Sequence, residues 1–447
     1  MNSTLNKLIL AIEAAGGRCY LIGGAVIDSI KSRPVKDWDI EVYRLSLAQI
    51  EEVLVELGMQ SDMVGANFGI IKTKADDLDV DLNVPRRDNR VGTGHKGFEC
   101  EFDPNMTPEE AGRRRDLTIN SMYKDLWSGE ILDPWGGLQD LEDGIIRATD
   151  PETFVEDPLR VLRIMQLLPR KGRMVTPVTM ALCYRMKDEF KHLPSERVFE
   201  EFNKLLLLAP KPSMGLEFLD ECGWIEHFPE LLALQGCEQD PKWHPEGDVW
   251  NHTMGVVDAA AQLKHRLPEE WQLPFMFGAL THDFGKPSTT AEDLTAYGHD
   301  MAGGPLSEGF MKRLTNNTKL IKRVRLITEC HMRPGANERS GAKMNAWKRL
   351  HNKLRLDVCA MISRADSLSR FGKDILNAEH KPSKIAMGYF DQFGPTEIKP
   401  ILQGRHLIDR GLQPGPGFGP ILNKAYNLQI EENLTDVEEL FQRATEE

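Results

Sequence analysis

The sequence predicts a small α/β domain in its first third followed by an all-helical remainder, and three observations carry that prediction. Apolar runs alternating with period two recur between glycine turns up to about residue 148. Strand signals stop after about Asp150, where helical patterns take over. Those patterns are broken at Pro177, at Pro194 and in Ala209-Pro210-Lys211-Pro212, where proline ends helices. A loop rich in Pro, Gly and Asp near 236–248 adds a boundary, and Pro414-Gly415-Pro416-Gly417 opens a short helical tail. The expected segments are 1–148, 149–235, 236–385 and 386–447.

In chain order, helical periodicity covers residues 5–15 and 46–57. The opening stretch has an acidic residue, Glu13, and no small-residue cleavage site, so it reads as a first helix and not a signal peptide. Strand patterns cover Cys19 to Ile22, Trp38 to Tyr43, Gly69 to Thr73 and Leu78 to Val84. At 447 residues the chain has material for two or three domains. Its 41% apolar and 28% charged residues are those of a soluble globular protein, and no apolar run is long enough for a membrane span. Seven cysteines without a CxxC pair argue for reduced thiols in the cytoplasm and against a zinc ribbon or disulfide frame. A net charge of −13 disfavours non-specific coating of nucleic acid. Local basic patches still allow a specific contact: Arg113-Arg114-Arg115, and the set Arg160, Arg163, Arg170, Lys171 and Arg173.

Four segments carry candidate transfer chemistry. Strand, Gly23-Gly24 turn and helix start place free backbone N–H groups where a triphosphate could lie, although a glycine pair alone is more often a plain tight turn. In Asp37-Trp38-Asp39, a strand would put both carboxylates on one face, a holder for Mg2+ and its hard oxygen ligands. Phosphoryl transfer from a nucleoside triphosphate needs such a cation. Asp79 and Asp81 would share a face of the Leu78–Val84 strand; Asp81 is the preferred third carboxylate, with a solvated strand face as the alternative. Arg115 suits bidentate phosphate contact, with Asp116 and Asn120 ordering it or touching a ribose. In Glu156-Asp157-Pro158, Asp157 reads as a helix N-cap with Pro158 at the first helical position, and Arg160 and Arg163 follow in the first turns. A carboxylate beside a guanidinium can select cytosine and adenine, because guanine and uracil present a carbonyl where the amino group should be.

The strings GGAVID, DWDIEVY, RRRDLTINS and EDPLRVLR, in this order and spacing, resemble the bacterial tRNA nucleotidyltransferase and poly(A) polymerase family, the class II CCA-adding enzymes. The similarity continues through Gly92 to Phe98, Asp133 to Leu138 and Leu193 to Val198, and covers roughly residues 18–235. It implies an α/β (α+β) nucleotidyltransferase head of polymerase-beta type over 1–148, then an all-α neck and body over 149–235 carrying nucleotide-template and RNA-binding elements. It further implies that Gly23, Gly24 and the position of Ile27 contact the nucleotide and that Asp37 and Asp39 bind Mg2+. Arg115 would serve nucleotide recognition, and Glu156, Asp157, Arg160 and Arg163 would form an amino-acid template. The implied activity is two-metal attack of the tRNA 3′-hydroxyl on the α-phosphate of CTP or ATP. Two departures stand out. The family has Arg where this chain has Ile27, so a triphosphate contact is lost or supplied elsewhere. Pro169 replaces part of an Ala/Arg/Phe-rich helix and should end or kink it.

Residues 243–300 hold Trp243-His244-Pro245-Glu246, His252, His282-Asp283 and His299, with Asp366 farther on. Imidazoles and carboxylates on facing helices can bind a divalent transition metal, Ni2+ or Mn2+ among them, and activate water. The set resembles an all-α HD phosphohydrolase domain over 236–385, followed by a helical tail over 386–447. His252, His282, Asp283 and Asp366 stand in the ligand positions, with His299 and His331 accessory. The resemblance implies phosphatase, 2′-nucleotidase and 2′,3′-cyclic phosphodiesterase activities that repair RNA 3′ ends. The competing expectations are a poly(A) polymerase, an enzyme adding only CC or only A, a phosphohydrolase with an inactive transferase half, and a purely structural tRNA-binding protein. A monomer or homodimer, free of membrane association, is expected.

Overall fold

The computed structural model describes residues 3–35, 37–62, 69–90, 98–370 and 372–446. Residues 92–97 of the expected glycine-rich motif lie outside that set. The chain divides into two compact units: Met1–Ala209 with Met214–His227, and Pro210–Ser213 with Phe228–Glu447.

The first unit opens with α1 (Ser3–Ala14), β1 (Arg18–Ile22), α2 (Gly24–Ile30), β2 (Trp38–Tyr43) and α3 (Leu47–Glu56). The strands β3 (Ser61–Asp62), β4 (Ile70–Ala75) and β5 (Leu78–Asn83) follow. After a separate hairpin of β6 (Arg86–Arg90) and β7 (Phe98–Phe102) come α4 (Pro108–Arg113), β8 (Tyr123–Asp125) and β9 (Ile131–Leu132). Seven strands form one sheet in the order β3-β4-β5-β2-β1-β8-β9. Only β2 and β5 run parallel, and their register sets Asp39 beside Asp81. The helices start where side chains satisfy free N–H groups: Ser46 and Gln49 form a capping box at α3, and Thr107 and Glu110 another at α4. At the end of β1 the chain turns through Gly23 with φ +65°, a conformation that favours glycine.

The unit continues with α5 (Gly137–Asp143), a short parallel pair β10 (Ile145–Ile146) and β11 (Met174–Val175), α6 (Pro151–Phe154), α7 (Leu159–Lys171), α8 (Pro177–Arg185), α9 (Ser195–Leu208) and α10 (Ser213–Glu221). Asp157 Oδ1 accepts the Leu159 N–H at 3.0 Å, so it caps α7 as its sequence suggests. Pro169 does not end that helix, which runs on to Lys171. Proline in the last turn removes only the bond to the Met165 carbonyl. That carbonyl packs against Gly215, where a Cβ would fall 2.3 Å from its oxygen.

The second unit is helical: α11 (Pro229–Leu232), α12 (Val249–Leu263), α13 (Glu269–Thr281), α14 (Lys286–Thr289), α15 (His299–Leu314), α16 (Thr318–Cys330), α17 (Arg333–Arg339), α18 (Met344–Lys353), α19 (Leu356–Ser369) and α20 (Lys381–Phe393). Residues Phe275 to Thr281 of α13 are all buried, as in a helix that is apolar on every side and forms the centre of a core. Helix α12 packs on α13 and α19, and α13 on α16. The tail holds α21 (Gly404–Ile408), α22 (Phe418–Glu432) and α23 (Val437–Thr445), joined by a small core of Leu402, Leu407, Ala425, Leu440 and Ala444. No helix of the described residues is long and apolar enough to cross a membrane.

Candidate active sites

In the first unit a cleft of about 490 Å³ is lined by Gly24, Ile27, Asp28, Asp37, Asp39, Asn120, Arg170 and Lys171, among others. Asp37 lies just before β2 and Asp39 within it, so the strand starts one residue later than a shared strand face requires. The third carboxylate comes by sheet register: Asp81 is the cross-strand partner of Asp39. Lys72 Nζ sits 3.3 Å from Asp81, while Asp79 is 72% exposed beside Lys74. Burial, then the neighbouring Asp81 and Asp37, raise the Asp39 pKa, against the pull of Arg115 and Lys72. Carboxylates brought together in this way are a fit for a hard divalent cation.

The residues behind this cleft form a buried ionic framework. Glu41 is fully buried; it accepts a hydrogen bond from Tyr43 Oη at 2.8 Å and lies 3.2 Å from Arg115 and 3.5 Å from Arg114. Arg115 also donates to the Asn120 carbonyl at 3.3 Å and stacks over Tyr123 at 5.1 Å. Glu41 was not singled out by sequence, though it shares the odd-numbered face of Asp39 and Tyr43. Asp116 accepts from Asn120 Nδ2 at 3.0 Å and from Arg163 Nε at 2.6 Å. Burial works to raise its pKa, but Arg163 and the Asn120 hydrogen bond carry it down to about 2. The acid ordered by Asn120 therefore serves Arg163, on α7, rather than Arg115.

The expected template residues are placed differently from one another. Arg160 donates to the carbonyls of Thr153, at 2.6 Å, and Arg114. Asp157 has Arg197 at 4.0 Å. Glu156 lines a separate cleft of about 300 Å³ with Arg86, Arg113 and Arg114. Gly23 shapes the turn into the main cleft, and Ile27 is 1% exposed in its wall. Arg170 and Lys171, read in the sequence only as part of a basic patch, belong to the same cleft.

The second unit gathers His252 from α12, His282 and Asp283 from the end of α13, His299 from the start of α15, His331 after α16 and Asp366 from α19. All six are buried. The Nδ1 atoms of His282, His299 and His331 face the carbonyls of Ala279, Ala296 and Thr328 at 2.7–2.8 Å. A ring nitrogen facing a carbonyl carries the proton, which leaves Nε2 with a lone pair for a metal. His252 Nδ1 is set in the same way by Glu246 at 2.7 Å. The Nε2 atoms of His252 and His282 are 3.3 Å apart, those of His299 and His331 3.2 Å apart, and Asp366 Oδ1 is 3.1 Å from His252. Three donor groups suited to a metal result: His244 with Glu246 and His252; His252 with His282 and Asp366; and Asp283 with His299 and His331.

Asp283 joins the last two groups. Its Oδ2 is 3.1 Å from His282 and its Oδ1 3.3 Å from His299. Lys286 Nζ lies 2.7 Å from Oδ2, but the angles are not those of a hydrogen bond, and neither buried oxygen has one. An orphaned buried carboxylate among imidazoles fits a metal ligand. Burial, with His282 beside it, lowers His331 to about 4, so this imidazole is neutral near pH 7 and able to ligate. Gly285 makes the arrangement sterically possible: a Cβ there would fall 2.1 Å from the His299 carbonyl. A cavity of about 330 Å³ opens on the cluster, with Trp243, Lys286, Tyr297 and Arg370 in its walls. Glu246 and Gly285 carried no role in the sequence reading, although Glu246 stands in a string quoted there.

Comparison with known proteins adds the following. Residues 19–147 match the family described as the Poly A polymerase head domain, and residues 174–234 that described as a probable RNA and SrmB-binding site of polymerase A. The chain is 36% identical over 318 residues to a Multifunctional CCA protein of Nitrosospira multiformis, covering 70% of this chain and 73% of that one. It is 33% identical over 402 residues to a Multifunctional CCA protein of Actinobacillus pleuropneumoniae, covering 86% and 93%. Its fold is similar to that of a Bacillus stearothermophilus CCA-adding enzyme in complex with CTP, with a TM-score of 0.69, 19% identity and coverage of 99% and 98%. A Thermotoga maritima CCA-adding enzyme complexed with tRNA gives a TM-score of 0.58 at 16% identity, with coverage of 98% and 94%.

Proposed function

The chain belongs to the bacterial family of CCA-adding tRNA nucleotidyltransferases and poly(A) polymerases, and from that premise we propose that it adds C, C and A to the tRNA 3′ end from CTP and ATP without a nucleic-acid template. The observation that carries this reading is the cleft that unites Gly24, Asp37 and Asp39, with Asp81 beside Asp39 across the parallel strand pair. The RNA 3′-hydroxyl attacks the α-phosphate, the bond to the β-phosphate breaks and pyrophosphate leaves. Asp37, Asp39 and Asp81 are the residues that would hold Mg2+. When bound, that ion neutralises developing phosphate charge and lowers the pKa of the attacking hydroxyl. Arg115, fixed by Glu41 and the Asn120 carbonyl, supplies a preorganised cation to the nucleotide. Asp157 and Arg160 read the base, with Arg160 held by two backbone carbonyls and Arg163 held by Asp116. Rigid placement of these groups is what a template made of amino acids requires.

The second unit acts as a phosphohydrolase on phosphorylated RNA 3′ ends and small nucleotides, with His252, His282, Asp283 and Asp366 as metal ligands. Its support is the buried His/Asp cluster with all four tethered imidazoles offering Nε2. Imidazole-rich donors favour a divalent transition metal, Ni2+ or Mn2+, over Mg2+. The deciding experiment offers tRNA transcripts ending before CCA, after the first C and after the second C, with Mg2+ and labelled CTP or ATP. Ordered addition of two C and one A, then a stop, is expected. Addition of A alone, or runs of A, would replace this reading by an A-adding enzyme or poly(A) polymerase. No addition at all, with phosphate release intact, would leave only the phosphohydrolase.

A further inference from the structure

We propose that Arg170 and Lys171 bind the triphosphate of the incoming nucleotide, in place of the guanidinium that the family carries at the position of Ile27. The inference rests on the transferase reading and adds a phosphate subsite to it. Ile27 is buried in the wall of the cleft that holds Asp37 and Asp39, and an aliphatic side chain gives a phosphate nothing to bind. The same cleft is lined by Arg170 and Lys171 from the last turn of α7. Both departures from the family pattern, at position 27 and around Pro169, thus meet in one cavity.

The two cations are only loosely tied to the acids of the cleft, Asp28, Asp37 and Asp39. Lys171 Nζ donates to Asp28 Oδ1 at 3.5 Å, a long hydrogen bond. Arg170 Nη1 donates to the neutral Gln166 amide oxygen at 2.5 Å, and among the described residues no carboxylate lies within 4.0 Å of its guanidinium. Burial lowers the pKa of both, partly offset by Asp28 for each and by Glu201 for Arg170. A polyphosphate contacting both side chains would offset that burial further. Their positions are fixed as well as their charges. Arg163 ties α7 to Asp116 at 2.6 Å, and the Met165 carbonyl freed by Pro169 packs on Gly215. Arg170 and Lys171 therefore sit at the end of a helix anchored on two sides, as a phosphate clamp requires.

The test is equilibrium binding of CTP and of CMP to the full chain with Mg2+, for the unaltered protein, Arg170→Gln, Lys171→Gln and the double variant Ile27→Arg with Arg170→Gln. Loss of a charge-assisted contact to the β- and γ-phosphates should weaken CTP binding about tenfold or more and leave CMP binding unchanged. Ile27→Arg should recover most of the loss in the Arg170→Gln background. If Arg170→Gln fails to fold by circular dichroism, Lys171→Gln carries the same expectation. Equal losses for CTP and CMP, or no loss for either, would overturn the subsite while leaving the transferase reading intact. Failure of the unaltered protein to bind CTP would overturn both.

Discussion

Under the proposed function the two sites would hold a divalent cation near a phosphate with opposite materials. In the first unit the candidate ligands are carboxylates at the start of β2 and on β5, in the middle of the sheet, where the parallel pair sets Asp39 beside Asp81. Burial and the neighbouring acids raise the pKa of Asp39. In the second unit the donors are four imidazoles and two carboxylates at the ends and inside of helices, all buried and each imidazole tethered through Nδ1. The difference teaches that donor chemistry would separate the metals proposed for the two sites: oxygen-only donors favour Mg2+, and imidazole-rich donors favour transition metals.

The largest expected effect breaks this contrast if it is wrong. Chelation should abolish both nucleotide addition and phosphate release, each by at least about a thousandfold. Mg2+ alone should then restore addition, and Ni2+ or Mn2+ should be needed for full phosphate release. Recovery of both activities by Mg2+ alone would remove the distinction. A smaller effect follows from the ionic framework behind the first site. Arg163→Ala leaves Asp116 buried without its partner and should cost on the order of 2–3 kcal/mol in urea denaturation of the first unit, with the transition of the second unit unmoved.

The same pair sharpens the comparison through pH. Asp116 is lowered from 3.8 to about 2 in the folded state. A carboxyl lowered in this way contributes stability that is complete above its unfolded pKa and is lost as pH falls through the folded one. Stability of the first unit should therefore decline between pH 3.8 and about 2, and Arg163→Ala should flatten that slope. An unchanged slope would mean that Asp116 is not the group responsible. The smallest effect concerns the turn: Gly23→Ala forces a Cβ onto φ +65° and should cost about 1 kcal/mol, read as a lower melting temperature.

What could be read from the sequence depended on how local the arrangement was. The period-two strands, the Asp157 cap and the Gly23 turn are decided within a few residues, and the sequence showed them. Asp81 was preferred over Asp79 from the sequence, but its place beside Asp39 comes from the register between β2 and β5, which pairing across the sheet sets. Glu41 stood on the face already read for Asp39, yet its value lies in Arg114 and Arg115, more than seventy residues on. Pro169 was expected to end or kink α7; the helix runs two residues further, to Lys171, because only one hydrogen bond was at stake and Gly215 leaves room for the freed carbonyl. In the second unit His282-Asp283 was recognisable as a doublet. Its junction with His299 depends on the Gly285 contact, which no local pattern announces.

The most direct test of two independent sites is to assay Asp39→Ala and Asp283→Ala, both shown to be folded, for nucleotide addition and for phosphate release from 2′- or 3′-phosphorylated ends. Crossed losses are expected: Asp39→Ala abolishes addition and keeps release, and Asp283→Ala does the reverse. Loss of both activities in either folded variant would contradict the independence of the two sites.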